Sequence, residues 1–297
     1  MVQKPDLVLG FTDTFENCKL FFTDILSRRY NVIRDDKEPI YLIFGDSNFG
    51  QNHFNYTDAR ITKIFYTGEN VRPSYFKHHK AITFDHVNSM DHYRLPLYVL
   101  EMWATMKDDN IVNSFDYLTT VHQKMDWEMI YDGLETGFTY IQSNPNCQPR
   151  NYFVQELMRN FNVKCGGPHL NNIGYVVPRT RPEKIQFLRS MKCNVAFENG
   201  AYPGYVTEKI LDAFYAGVLP VYWGSSKIAR DFNPKCFYHV KNEMDFGSAP
   251  GEIRTIMKDK RLWCDMMAAP RFNDYALNDY AQIDNFLDWF DDNVYFG

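Results

Sequence analysis

The sequence predicts an α/β protein built around largely parallel sheets, and three observations carry that reading. Short apolar runs that read as buried strands alternate with stretches whose apolar residues recur at helical spacing. The runs end in turn-forming clusters such as Gly45-Asp46-Ser47 and Thr67-Gly68-Glu69-Asn70. Residues 193–222 spell a complete strand–loop–helix–strand unit, the connection that parallel strands require.

In chain order, residues 6–10 form a first strand candidate and 18–26 an amphipathic helix. Strand candidates follow at 30–33, 40–44, 63–66 and 81–85. Residues 106–135 are polar, with Lys107-Asp108-Asp109-Asn110 and Asp126-Trp127-Glu128, and read as a rim of specificity loops on the first domain. A strand at 138–142 opens the second domain, followed by a helix from 149 to 161 and a strand at 163–167 ending in Gly-Gly. A helix at 184–191 leads into the strand at 193–197. Another helix-like segment opens at Ser225-Ser226-Lys227, and an acidic, aromatic helix closes the chain from 275. The expected division is residues 1–136, 137–274 and a C-terminal helix, 275–297, packing back on the first lobe.

The stretch FENGAYPGYVTEKILDAFYAGVLPVYWG, residues 197–224, holds the densest chemistry. Asn199, Gly200, Pro203 and Gly204 make a loop, and Val206, Ile210, Ala213 and Phe214 fall on one helical face. Gly217 sits where a helix stops. The N-terminus of that helix offers unpaired N–H groups and partial positive charge, which suit a phosphate or diphosphate. Lys209 in its first turn adds a full charge. Glu208 would repel phosphate and suits sugar hydroxyls instead, while Asn199 and Tyr205 supply neutral polar edges. Together they describe a cradle for a nucleotide-sugar diphosphate. The alternative is that Glu208 complements the helix dipole and Lys209 is merely solvated.

Two residues elsewhere stand out. Glu69 follows the end of a buried strand, where open α/β sheets place their ligand crevice. A partly desolvated carboxylate there can take a proton from an attacking hydroxyl, and it can equally cap a turn. Arg150 at a helix start is poorly placed for the dipole, which points to an anionic ligand or to a local ion pair.

Composition narrows the classes. The 297 residues, 45% hydrophobic, can bury one large or two medium cores, and a net charge of −5 disfavours a nucleic-acid partner. No run approaches the ~20 apolar residues of a membrane span, and no charged-then-apolar leader opens the chain. A soluble, cytoplasmic protein is expected. Cys18, Cys147, Cys165, Cys193, Cys236 and Cys264 are scattered without a C-x-x-C, favouring reduced, buried thiols over a zinc site or a disulfide framework. His78, His79, His86 and His92 match no metal-ligand spacing. The absence of G-x-G-x-x-G and G-x-x-x-x-G-K disfavours a dinucleotide oxidoreductase and a P-loop enzyme.

The 197–224 stretch resembles the signature of the α-1,3-fucosyltransferases, inverting enzymes of glycosyltransferase family 10: Phe-Glu-Asn, a spacer, Tyr-Val-Thr-Glu-Lys, then Pro-Val-Tyr-Trp-Gly. Tyr66-Thr67-Gly68-Glu69-Asn70 is similar to a Tyr-Thr-Gly-Glu-Asn segment of the bacterial members, and Ser143-Asn144-Pro145-Asn146 with Arg150-Asn151 to another. Arg94-Leu95-Pro96-Leu97-Tyr98 and 231–237 also match, whereas Pro168-His169 departs from the bacterial pattern. The interpretable likeness runs over roughly residues 60–240 and fades at both ends. It implies a GT-B-like fold, two Rossmann-type lobes facing across a cleft, and transfer of L-fucose from GDP-fucose to an oligosaccharide acceptor with inversion. An α-1,3 linkage to an N-acetylglucosamine-type sugar is the implied product. Glu69 is the implied base, Arg150 and Lys209 bind the donor diphosphate, and Asn199, Tyr205 and Glu208 complete the donor site. No Asp-x-Asp triplet occurs, so no cofactor or metal is expected, a divalent cation at most stimulating. A different nucleotide sugar, or non-catalytic carbohydrate binding, remains the alternative. These residues show no C-terminal repeat or basic tail of the kind longer bacterial members carry and no anchor like that of Golgi relatives, so a membrane-peripheral protein is not expected. A trimmed catalytic fragment of a Golgi enzyme is the second expectation for location.

Overall fold

The computed structural model describes residues 3–106 and 117–296. The chain divides into two compact units, Met1–Asp108 with Leu277–Gly297, and Asp109–Ala276.

The first unit holds β1 (Asp6–Thr12), α1 (Glu16–Leu26), β2 (Asn31–Arg34), β3 (Tyr41–Phe44), β4 (Thr62–Tyr66), β5 (Lys80–Thr83), β6 (His92–Arg94) and α2 (Leu97–Met106). Its strands pair in the order β2-β1-β3-β4-β5-β6, all parallel. Parallel strands covered on both faces need apolar residues throughout, and all four residues of β3 are buried. Strand β6 is a His-Tyr-Arg triplet with no apolar run, so the sequence carries no strand signal there. Pairing with β5 makes it one, reinforced by a 2.8 Å hydrogen bond between His92 Nε2 and Thr83 Oγ1. The C-terminal helix, Ile283–Asn293, belongs to this unit: Phe286 packs on Phe22 and Tyr93, and Phe290 on Tyr30. Arg29 anchors it through Asp288 at 2.6 Å and Asp291 at 2.5 Å. It begins at residue 283 rather than 275, because the chain before it makes only a short turn at Asp279–Ala281.

The second unit carries α3 (Trp127–Gly133), β7 (Glu135–Tyr140), α4 (Gln148–Asn160), β8 (Val163–Cys165), α5 (Arg181–Leu188), β9 (Met191–Phe197), α6 (Glu208–Ala216), β10 (Leu219–Trp223), β11 (Tyr238–His239), α7 (Ala249–Lys258) and α8 (Lys260–Ala268). The parallel sheet runs β11-β10-β9-β7-β8. Its core gathers Phe138, Phe153, Phe197, Trp223 and Trp263. Residues 126–135, expected on the rim of the first lobe, belong here instead. Trp127 is buried in this core, and Tyr131 packs its ring 5.5 Å from that of Trp263. The division at 136/137 therefore falls inside the second unit, because apolar anchors are hidden in a polar-looking stretch. Residues 107–116, including Lys107-Asp108-Asp109-Asn110, lie outside the described residues. The helix expected at 184–191 ends at Leu188, and Met191 already opens β9. The helix-like segment at 225 is only a 3-10 turn, Ile228–Arg230.

All six cysteines are unpaired, and five are buried. Burial pushes the Cys18 and Cys236 thiols up to about 12 and that of Cys165 to about 11. Among the described residues no helix is long and apolar enough to cross a membrane.

Candidate functional site

In both sheets the chain lays its second strand on one side of the first and its third strand on the other. That reversal is where open α/β folds bind ligands, at the carboxyl ends of the diverging strands. In the second unit the step lies between β7 and β9. A narrow cavity there is lined by Tyr140, Gln142, Lys184, Asn194, Lys209 and Asp212.

Helix α6 rises beside it. Thr207, extended at φ −111° and ψ −167°, precedes the helix without capping it. Its N–H and Oγ1 instead donate to the fully buried Glu198, at 2.8 Å and 2.6 Å. The Thr207 side chain is thereby drawn away from the first-turn N–H groups, of which the Glu208 N–H is met by the Glu208 carboxylate. Gly217 closes the helix in the left-handed conformation at φ +68°.

Around this helix start three cations and three carboxylates interleave. Lys209 Nζ lies 3.3 Å from Glu198 Oε2 and 3.6 Å from Glu208 Oε1, and donates to Thr207 Oγ1 at 2.9 Å. Lys184 from α5 pairs with the buried Asp212 and stands 3.8 Å from Glu208 Oε1. Arg181 Nε reaches Asp212 Oδ1 at 3.6 Å. Burial alone would raise the Glu208 carboxyl, but Lys209 and Lys184 outweigh it and hold it below the usual range. For Glu198 burial wins over Lys209, and its carboxyl is raised. Burial likewise works against the Lys184 charge, yet Asp212 and Glu208 keep it raised. The cradle is thus charge-balanced rather than simply positive, with Glu208 fixed as an anion between two lysines.

Arg150 lies in the first turn of α4 and is fully buried. Its Nη1 donates to Asn199 Oδ1 at 2.7 Å and to the Glu198 carbonyl at 3.3 Å, and Nη2 to the Asn144 carbonyl at 2.8 Å. Among the described residues no carboxylate pairs with it. A buried guanidinium facing only neutral acceptors has its hydrogen bonds but no counter-charge among the described residues, an arrangement an anionic ligand would complete.

The structure thus joins Arg150 to Asn199, and Glu208 to Lys209, within one unit. The ring of Tyr205 is buried, and its carbonyl accepts from the Tyr222 hydroxyl at 3.3 Å. Glu69 stands in the first unit, just past β4 and half-buried, its N–H donating to Thr67 Oγ1 at 3.0 Å. Sequence reasoning gave no role to Glu198, Lys184, Arg181 or Asp212. The available signals were the four-residue spacing of Glu208 and Asp212 and the three-residue spacing of Arg181 and Lys184. Among the described residues no group of three His, Cys, Asp or Glu side chains is arranged to hold a metal ion.

Residues 8–101 match the model of the Alpha-(1,3)-fucosyltransferase FucT N-terminal domain, and residues 136–266 that of the Glycosyltransferase family 10 (fucosyltransferase) C-terminal region. The chain belongs to glycosyltransferase family 10. This family 10 chain is 33% identical over 282 residues to the Alpha-(1,3)-fucosyltransferase FucT of Helicobacter pylori, covering 85% of itself and 56% of that protein. It therefore spans just over half the length of that curated relative. It superposes on a solved α1,3-fucosyltransferase with GDP at a TM-score of 0.77, with 26% identity, over 98% of this chain and 90% of the other. A second solved α1,3-fucosyltransferase, with GDP-fucose, gives 0.76 and 25% over 98% and 91%. The family 10 fold is of the GT-B type, here two Rossmann-type units, each with its own parallel sheet.

Proposed function

We propose that this family 10 member transfers L-fucose from GDP-fucose to a hydroxyl of an acceptor glycan, with inversion at the anomeric carbon. The observation that carries the reading is the buried, carboxylate-free Arg150 in the same unit as the uncapped start of α6. Solved relatives that hold GDP and GDP-fucose, and the Helicobacter pylori α-1,3-fucosyltransferase, support it. An α-1,3 linkage to an N-acetylglucosamine-type sugar is the proposed product, and the cytoplasm of a bacterial cell the proposed site of action.

In this mechanism Glu69 accepts the proton of the acceptor hydroxyl as its oxygen bonds to the anomeric carbon. The bond from that carbon to the β-phosphate oxygen breaks, and its electron pair leaves with GDP. Arg150, Lys209 and the first-turn N–H groups of α6 stabilise the charge that gathers on the diphosphate. Glu208, held ionised by two lysines, accepts hydrogen bonds from sugar hydroxyls, and Asn199 holds Arg150 in place. Tyr205, whose ring is buried, completes the proposed donor site. These groups provide the electrostatic work a divalent cation does elsewhere, so transfer is proposed to need no cofactor, a cation at most stimulating it.

A transfer assay across a glycan array, with GDP-fucose in competition with other nucleotide sugars, tests the proposal. Fucosylation that persists with chelator present supports it. A preference for another nucleotide sugar, or binding of glycans without turnover, overturns it.

A further inference from the structure

Three buried polar residues of the first unit, Asp13, Asp46 and Thr67, take no part in that mechanism. All lie at the carboxyl ends of the central strands β1, β3 and β4. Asp13 follows β1 at φ +50°, a conformation few non-glycine residues adopt. Its carboxylate accepts from the Asn52 N–H and Nδ2, both at 2.9 Å, and from the His53 N–H at 2.7 Å, and meets His53 Nδ1 at 2.8 Å. Burial opposes the anion, but these hydrogen bonds outweigh it and lower the carboxyl. The loop leaving β3 is thereby wrapped around the end of β1. At Gly50, φ +142°, a Cβ would come within 2.4 Å of Asp13 Oδ1, so a side chain there is sterically barred.

That clamped loop presents Asp46. In the β3–β4 ladder Phe44 lies opposite Phe65, and two residues further on Asp46 meets Thr67. Thr67 Oγ1 donates to Asp46 Oδ2 at 2.7 Å, and the other carboxylate oxygen accepts from the Asn48 N–H at 2.9 Å. A hydroxyl carries one proton. With that proton committed to the carboxylate, Thr67 Oγ1 is left as an acceptor, and the Glu69 N–H donates to it at 3.0 Å. The alternative acceptor for the hydroxyl, the Glu69 carbonyl at 3.4 Å, is the weaker one.

We infer that Asp46 and Thr67 are positioning residues for Glu69: the anchored carboxylate orients the Thr67 hydroxyl, which fixes the backbone from which the base projects. The inference rests on the reading of Glu69 as the base. It assigns a function to Thr67 within Thr67-Gly68-Glu69, and to Asp46, twenty-three residues before Glu69 in the chain. A proton acceptor displaced by about 1 Å loses on the order of 100-fold in rate, whereas donor binding, made by other residues, does not change.

The test measures kcat, KM for GDP-fucose, GDP affinity and thermal midpoint for Thr67→Val, Thr67→Ser, Asp46→Asn and Glu69→Gln. Thr67→Val is expected to lower kcat roughly 10- to 100-fold with KM and GDP affinity unchanged. Thr67→Ser, which restores the hydroxyl, is expected to recover most of that rate. Should Thr67→Val fail to fold, Asp46→Asn reads the same link from its other end and is expected to show the same kcat-selective loss. A wild-type kcat in folded Thr67→Val or Asp46→Asn, no rescue by serine, or a parallel loss of GDP affinity overturns the inference. Glu69→Gln separates the two levels. If it is inactive while Thr67→Val is fully active, only the positioning role falls. If Glu69→Gln transfers at the wild-type rate, the base assignment falls and takes the inference with it.

Discussion

Arg150 is the residue on which the proposed donor site turns. Its two terminal nitrogens donate to Asn199, Asn144 and the Glu198 carbonyl, tying together segments that are far apart in sequence. That fork requires a planar guanidinium, and an ammonium does not reproduce it. Arg150→Lys is expected to retain the charge but weaken GDP binding about 10- to 100-fold, as loss of one charged hydrogen bond of roughly 1.5–3 kcal/mol dictates. Calorimetric titration with GDP checks this, and unchanged affinity contradicts it. At this scale the sequence was only partly legible. Arg150, Asn199, Glu208 and Lys209 lie in motifs that single them out, and the structure pairs Arg150 with Asn199 and Glu208 with Lys209. Glu198 sits beside Asn199, yet its pairing with Thr207 depends on how a loop folds back, which spacing alone does not reveal. Asp212 and Lys184 meet from two different helices, and Tyr205 looks like a loop residue until its ring is found in the core.

Helix α6 shows what an element contributes. It starts without a side-chain cap because Thr207 is engaged by Glu198, and it stops at Gly217 because that residue adopts φ +68°. Gly217→Ala meets no close atom, the nearest being Trp127 at 3.6 Å, so the cost is conformational. It is expected to destabilise the protein by about 1 kcal/mol, measurable by urea denaturation, with GDP affinity unchanged. Elements of this kind were legible wherever an apolar run or helical period met a breaker residue, as at β3, β4, β9 and α6. Strand β6 was not, because its His-Tyr-Arg sequence becomes a strand only through β5. Helix α3 was placed with the wrong unit, because Trp127 and Tyr131 declare their partner only in three dimensions.

At the scale of the molecule, the first five strands follow the same order in both units, and each sets a cluster of polar side chains where the order reverses. In the first unit these are Asp13 and Asp46, after β1 and β3; in the second, Lys184, Lys209 and Asp212 beside β7 and β9. One topological position thus carries polar side chains in each unit. Stability of the second unit has its own pH signature. His122 is buried, and burial together with the nearby Arg271 charge lowers its pKa to about 4. A histidine lowered in the folded state contributes stability that is fully present above its unfolded value near 6.5 and is lost as pH falls toward 4. Urea unfolding is therefore expected to weaken between pH 6.5 and 4 by up to about 3 kcal/mol from this group. A His122→Gln variant, lacking the titration, is expected to show a shallower acid dependence; an identical dependence contradicts the assignment.

The central claim, that a family 10 carboxylate primes an acceptor alcohol against GDP-fucose, is tested most directly by comparing fucosyl transfer and GDP binding in wild type and Glu69→Gln. Transfer is expected to fall at least ~100-fold while GDP binds with undiminished affinity. Transfer by Glu69→Gln at the wild-type rate, or a joint loss of transfer and GDP binding, would contradict it.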